Sequence, residues 1–246
     1  MGLYLNTREI LFEHVILGGL WITMDVVSNL KEIQENIKLA CEKSNRKIDE
    51  ITVIGVTKYV TIERAEETID AGIKNLGENR NEGFIEKHEV IGKKATWHFI
   101  GTLQTRKVKD IIEKIDYLHS LDRLSLAKEV NKRSEKPVNC FVQVNVSGEE
   151  SKHGLAPENV LDFIEEIKNY ENIYVVGLMT MAPHIKDREK IKEVFKRLAK
   201  LRDQISQKNY SHAPCHYLSM GMSNDYDIAI EEGATHIRIG TKLVGN

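Results

Sequence analysis

The strongest constraint on this chain is a repeated alternation, in which short β-branched or apolar runs are each followed by an amphipathic stretch with helical spacing. Strand-like runs occupy 51–57 (ITVIGVT), 75–76, 96–100, 117–120, 138–145, 173–179, 216–219 and 236–239. Amphipathic stretches occupy 24–45, 62–71, 79–92, 103–115, 123–134, 157–169, 186–206 and 223–233. Strands that alternate with helices pair in parallel through right-handed crossovers, and eight such units close a barrel. The pattern therefore predicts an α/β fold, a single (β/α)8 TIM barrel, with an open doubly wound sheet as the competing architecture. The four prolines, Pro137, Pro157, Pro183 and Pro214, stand at or near element boundaries, and no low-complexity linker divides the chain.

With 41% hydrophobic and 29% charged residues, the composition supports a sizeable core. A formal net charge of -2 provides no general field for nucleic acid or an anionic membrane, and neither is expected as a partner. Cys41, Cys140 and Cys215 are odd in number and lie outside any CxxC spacing, which argues against disulfides or structural zinc and predicts a reducing, cytoplasmic location. The segment His212-Ala213-Pro214-Cys215-His216 groups three potential ligands. It lacks a second cluster, and Pro214 prevents a helical i,i+4 arrangement, so no metal site is assigned. The apolar run 15–24 is about ten residues long, too short to span a bilayer. Residues 1–23 read as an N-terminal extension outside the core, with the domain running from 24 to 246.

In such a barrel the site is built at the C-terminal ends of the strands. Lys58, Gly77-Glu78-Asn79, Gly101, Asn145, Met179-Thr180, Ser219 to Ser223 and Arg238 to Thr241 occupy those positions. Lys58 and Arg238 belong to the first and last strands, which become neighbours on closure. A lysine ending an otherwise uncharged strand is costly near a core unless its amine is bonded or neutralised, and a Schiff base meets that need. A lysine snorkelling to the rim is the competing reading. The segments SMGMSN and RIGTKLVG combine glycines with hydroxyls where barrels commonly hold phosphate, and Ser223 is placed to cap the helix that follows. These glycines and Ser223 could instead serve turns and a cap alone. There is no GxSxG or GxGxxG, and Gly92-Lys93 lacks the remainder of a P-loop. Arg106, Lys107 and Lys109 read as a solvated face, and Glu149, Glu150 and Lys152 as a loop ion cluster.

The motifs GVTKYV, LGENR, WHFIGTLQTRK, QVNVSGEESKHGL, GLMTMAP, SMGMSNDYDIAI and RIGTKLVG, taken together and in order, resemble those of the pyridoxal phosphate homeostasis proteins. This family is also called YggS-like or proline synthetase co-transcribed, and is related to the alanine racemase N-terminal barrel. The resemblance runs from about residue 24 to the C-terminus. It implies a fold type III barrel without the C-terminal β domain of alanine racemase, binding pyridoxal 5'-phosphate (PLP) as a Schiff base on Lys58. It further implies that Ser223, Gly240 and Thr241 surround the phosphate, that Arg238 faces the pyridine nitrogen, and that Asn79 and Met220 belong to the pocket. Arg106 stands where the family usually has asparagine, a departure away from Lys58 and the phosphate loops.

The function implied is vitamin B6 homeostasis, in which a monomeric barrel holds and releases PLP, with PLP-dependent apoenzymes as partners and no residue in a catalytic role. The alternative is a weak amino-acid racemase. That chemistry needs a second acid/base opposite Lys58, which alanine racemases take from the added domain; here only Asn246 follows RIGTKLVG. An arginine at the ring nitrogen also leaves it unprotonated and a poorer electron sink. A phosphosugar barrel without PLP would fit the loops but leave Lys58 unexplained.

Overall fold

The computed structural model describes residues 25–245, together with the backbone of two short strands before them. Of these, β1 (His14–Leu17) and β2 (Leu20–Thr23) pair antiparallel as a separate two-stranded ribbon. The other residues of 1–24, including the expected domain start at Met24, and Asn246 lie outside the described residues.

Eight parallel strands close the barrel: β3 (Thr52–Val56), β4 (Asn75–Glu78), β5 (Thr96–Phe99), β6 (Tyr117–Leu121), β7 (Val138–Gln143), β8 (Ile173–Met179), β9 (Tyr217–Met222) and β10 (His236–Ile239). β10 returns to pair with β3, setting Arg238 beside Ile54 and Ile239 beside Gly55. The open doubly wound alternative is thereby excluded.

The long amphipathic stretches form helices as expected: α1 (Val26–Lys43), α2 (Ile62–Asp70) and α3 (Asn81–Ile91). The stretch 103–115 contains only α4 (Val108–Ile111), entered through a 3-10 turn at Thr105–Lys107. Val108, Ile111, Ile112 and Ile115 are all buried there, because periodicity records the buried face and not the number of closed turns. α5 (Leu124–Arg133), α6 (Val160–Glu166), α7 (Arg188–Ser206) and α8 (Tyr226–Glu231) follow, and a short unforeseen α9 (Thr241–Val244) succeeds β10. Asp25 starts α1 by accepting from Val27 N at 3.1 Å, and the stripe Leu30, Ile33, Ile37 and Cys41 buries its inner face. α1 packs on α8 and α9, and Asn29 Nδ2 donates to Leu243 O at 3.1 Å.

Two different cores result. Between strands and helices, Leu76, Trp97, Phe99, Leu118, Leu218, Ile237 and Ile239 join the helix stripes in one apolar cluster. Barrel interiors are usually filled by branched aliphatic residues, whereas here rings and polar groups share the lumen. His98 stacks on Tyr117 at 4.6 Å between centroids and 4° between planes, and His119 stacks on Phe141 at 4.4 Å. Burial pushes His98 down to about 3 and His236 down to about 4, and holds His119 well below the usual histidine range.

A buried ion pair braces the end of β4. Glu78 Oε1 lies 2.9 Å from Lys87 Nζ on α3 and accepts from Thr57 Oγ1 at 2.7 Å. Glu78 and Lys87 are 1% and 5% exposed, so loss of either leaves the other charge buried without its partner. Lys87→Met is expected to destabilise the protein by about 3–5 kcal/mol in denaturant titration. Adding Glu78→Gln should recover much of that loss. A loss no larger in Lys87→Met than at an exposed lysine would contradict the role of the pair.

The histidines make stability depend on acid. Below the ordinary value of 6.5, the unfolded chain protonates His98 and His236, while the folded barrel holds them neutral to about 3 and about 4. Their contribution is complete above 6.5 and is lost as pH falls towards those values. The thermal midpoint at about pH 4.5 should therefore lie well below that at about pH 7.5, and His236→Gln should flatten the decline. Equal midpoints in the parent protein would refute this.

Candidate functional site

Lys58 lies two residues beyond β3, in the turn before α2, and its side chain is exposed at the barrel rim. The backbone before it is fixed, since Thr57 is fully buried and bonded to Glu78. The next residue, Tyr59, takes φ +69, a left-handed conformation that costs an aromatic L-residue about 1–2 kcal/mol. Its ring, 70% exposed, stands 5.5 Å from Lys58 Nζ and 5.2 Å from Arg80 Cζ. Asn79 follows β4 directly and is half-buried. Gly101 must be glycine because a Cβ there would lie 2.1 Å from Asn79 O.

On the other side of β3, β9 continues to Met222, so SMGM is strand where a loop was expected. Met220 is fully buried in the cluster with Leu218, Ile237 and Ile239, and its side chain is not brought to the mouth. Ser223 does not cap α8. Asp225 occupies the N-cap position, and its Oδ1 accepts from Met222 N at 2.6 Å. Ser223 Oγ instead accepts from Gly240 N at 3.3 Å, tying the loop after β9 to the loop after β10. A Cβ at Gly240 would come 3.6 Å from Val56 Cβ, so this loop lies against the end of the Lys58 strand. Thr241 is exposed at the start of α9.

Arg238 projects into the barrel and is 4% exposed. Its Nη1 donates to Ser219 Oγ at 2.6 Å and its Nη2 to Thr180 O at 2.9 Å, committing two of its five N–H donors. Burial lowers its pKa to about 10, partly offset by Asp225, so it remains a cation at neutral pH. Ser219 Oγ also lies 2.9 Å from His119 Nδ1, His119 Nε2 lies 2.9 Å from His98 Nδ1, and His98 Nε2 lies 3.0 Å from Asn75 Oδ1. His98, His119 and Asn75 lie within their strands and not at the C-terminal ends where the sequence points to a site. The signal for the histidines is a polar ring at an inward position of an apolar strand: His98 between outward Trp97 and Phe99, and His119 beside outward Leu118.

Lys58 and Asn79 thus follow the neighbouring strands β3 and β4, the tied loops carrying Ser223 and Gly240 lie against the end of β3 and lead into Thr241, and the Arg238 guanidinium is buried in the lumen on β10, the other neighbour of β3. Amine, hydroxyl, backbone N–H and cation suit an anionic ligand bearing a carbonyl carbon and a ring acceptor. Other sequence features lie elsewhere. His212 Nε2 bonds Ile164 O at 3.0 Å, and Cys215 is buried with its thiol pushed up to about 12. Among the described residues, no group of His, Cys, Asp and Glu is gathered for a metal, and no helix is long and apolar enough to cross a membrane. Arg106 Nε bonds Gln104 and Lys107 pairs with Glu82, both as surface contacts. Two open crevices, of about 430 and 360 Å³, lie on the outer helical layer beside Cys41 and Arg197 and not at the mouth.

The family model for the alanine racemase N-terminal domain matches residues 28–246. A pyridoxal phosphate homeostasis protein of Aquifex aeolicus is 42% identical over 226 residues, covering 90% of this chain and 98% of that protein. The structure of PipY from Synechococcus elongatus PCC7942, with PLP bound, shares the fold with a TM-score of 0.78 at 24% identity, covering 89% of this chain and 100% of that one. An alanine racemase of Clostridium difficile 630 matches with a TM-score of 0.66 at 19% identity. This chain covers 56% of the racemase and 89% of itself is covered, so the likeness resides in the barrel. By sequence and fold, the chain belongs to the family of pyridoxal phosphate homeostasis proteins, built on the alanine racemase N-terminal-domain barrel.

Proposed function

We propose that this protein holds PLP as a Schiff base on Lys58 and releases it, acting as a store and carrier in vitamin B6 homeostasis. The observation that carries this reading is that the Ser223–Gly240 tie lies against Val56, two residues before the exposed Lys58, with the buried Arg238 on the neighbouring strand β10. PLP supplies a reactive aldehyde carbon and an electron-accepting ring. Lys58 provides the amine, Ser223, Gly240 and Thr241 bind the phosphate, and Asn79 flanks the ring. Met220 is left out of the cradle because its side chain faces the helical layer.

Arg238 offers the ring nitrogen a hydrogen bond but not a proton, since its pKa of about 10 keeps it protonated at neutral pH. A ring nitrogen left unprotonated withdraws electrons weakly, which favours holding the cofactor over carbanion chemistry and disfavours the racemase alternative. The exposed lysine leaves the bond open to water and to exchange with the apoenzymes proposed as recipients. The functional unit is taken as residues 24–246, acting as a monomer, with 1–23 as an extension. The start of the family match at residue 28 and the separate β1–β2 ribbon support that boundary. Buried free thiols at Cys41, Cys140 and Cys215 suit the cytoplasm.

Purified protein incubated with PLP is expected to turn yellow, and Lys58→Ala to abolish the visible band. Protein that stays colourless defeats the reading. Ser223→Ala should weaken PLP retention about 10-fold, the scale of one charge-assisted hydrogen bond. Chiral chromatography after incubation of the loaded protein with L-alanine should show no D-alanine at ordinary enzyme rates; turnover at such rates would establish the racemase instead.

A further inference from the structure

The contacts from Arg238 down to Asn75 form a chain whose proton positions can be worked out from both ends. An arginine N–H can only donate, so Ser219 Oγ accepts from it and has its own proton to give. The acceptor within reach is His119 Nδ1 at 2.9 Å. His119 is fully buried and neutral, so its proton sits on Nε2 and is donated to His98 Nδ1 at 2.9 Å. His98 then carries its proton on Nε2 and donates to Asn75 Oδ1, an amide oxygen that can only accept, at 3.0 Å. Reversing the chain would put the proton of His98 on Nδ1 and set the bare Nε2 lone pair against the Asn75 oxygen at 3.0 Å, besides leaving the Ser219 proton without a partner in the chain. The direction is therefore single: Arg238 to Ser219 to His119 to His98 to Asn75.

The chain also crosses the lumen. In the closed ring β10-β3-β4-β5-β6-β7-β8-β9, His119 on β6 stands on the wall opposite β10, while Ser219 lies on β9, the immediate neighbour of β10. We propose that Ser219, His119 and His98 are positioning residues, a one-way strut across the barrel that aims the Arg238 guanidinium at the ligand from below. Thr180 O holds Nη2 and the strut holds Nη1, fixing both position and plane. The inference rests on the proposed reading in one respect, that Arg238 faces the ring of the bound ligand.

The test begins with ligand-free protein. Nitrogen-15 NMR of the imidazoles should show His98 and His119 both protonated at Nε2, and Arg238 should give separate Nη signals because its rotation is blocked. His119→Phe keeps the ring against Phe141 but removes both nitrogens; it should merge those Arg238 signals. In PLP-loaded protein, the same variant should shift the visible band and weaken PLP retention about 10-fold, the scale of one lost hydrogen bond to a charged group. His119→Asn, which restores an acceptor beside Ser219, should return most of both effects, whereas a purely structural role for the ring would not distinguish the two variants. Ser219→Ala breaks the strut from its other end and should reproduce the loss if His119→Phe fails to fold. An Nδ1-protonated His119, unchanged Arg238 signals in His119→Phe and Ser219→Ala, or unchanged PLP retention in both overturns the proposal. A parent protein without a visible band defeats the cofactor reading instead, and the ligand-free spectra then decide the positioning role alone.

Discussion

Placing a guanidinium inside a β-barrel removes it from water at a cost of several kcal/mol unless dipoles or charges replace the solvent. Arg238 is met by the Ser219 hydroxyl and the Thr180 carbonyl, with Asp225 acting through space. Burial, with this cation adding to it, keeps His119 and His236 neutral, and neutrality lets an imidazole donate through one nitrogen and accept through the other. The ring-filled lumen is thus a coherent answer to one buried charge. Stacking on Tyr117 and Phe141 supplies the apolar contact that branched side chains give in other barrels.

The two halves of the mouth are held by separate means. On the amine side, Lys87, Glu78 and Thr57 fix the chain just before Lys58. On the anion side, Ser223 ties the loops after β9 and β10. Pairing of β10 with β3 sets these halves against each other, and the close approach of Gly240 to Val56 marks their seam. Rigid backbone beneath exposed functional groups is what a site that binds and releases a ligand requires.

The fold was largely legible because apolar runs and helical stripes report burial, and burial decides which segments pack. Eight strands appear where the alternation places them. What the pattern could not give was detail set by closure. Ser223 has the chemistry of a helix cap, but a neighbouring loop supplies Gly240 N, while Asp225 takes the cap position. Met220 follows the strand alternation into the helical layer because β9 is longer than its apolar run. Lys58 departs from what its strand suggests. The lysine stands at the rim and not near the core, so the cost of burial does not bear on it; its significance now lies in its neighbours. The link between His119 and Ser219 spans 100 positions in sequence and is visible only once the barrel closes.

A strut in which every proton has one direction has a consequence for how such a barrel can vary. Removing the nitrogens or the hydroxyl of one member leaves a donor or a lone pair unmatched at the adjacent joint, shut away from water that could relieve it. Acceptable variants at positions 98, 119 and 219 are therefore tied to one another although they lie on different strands. Substitutions at these positions should show strong epistasis, with double or triple changes surviving where single ones fail.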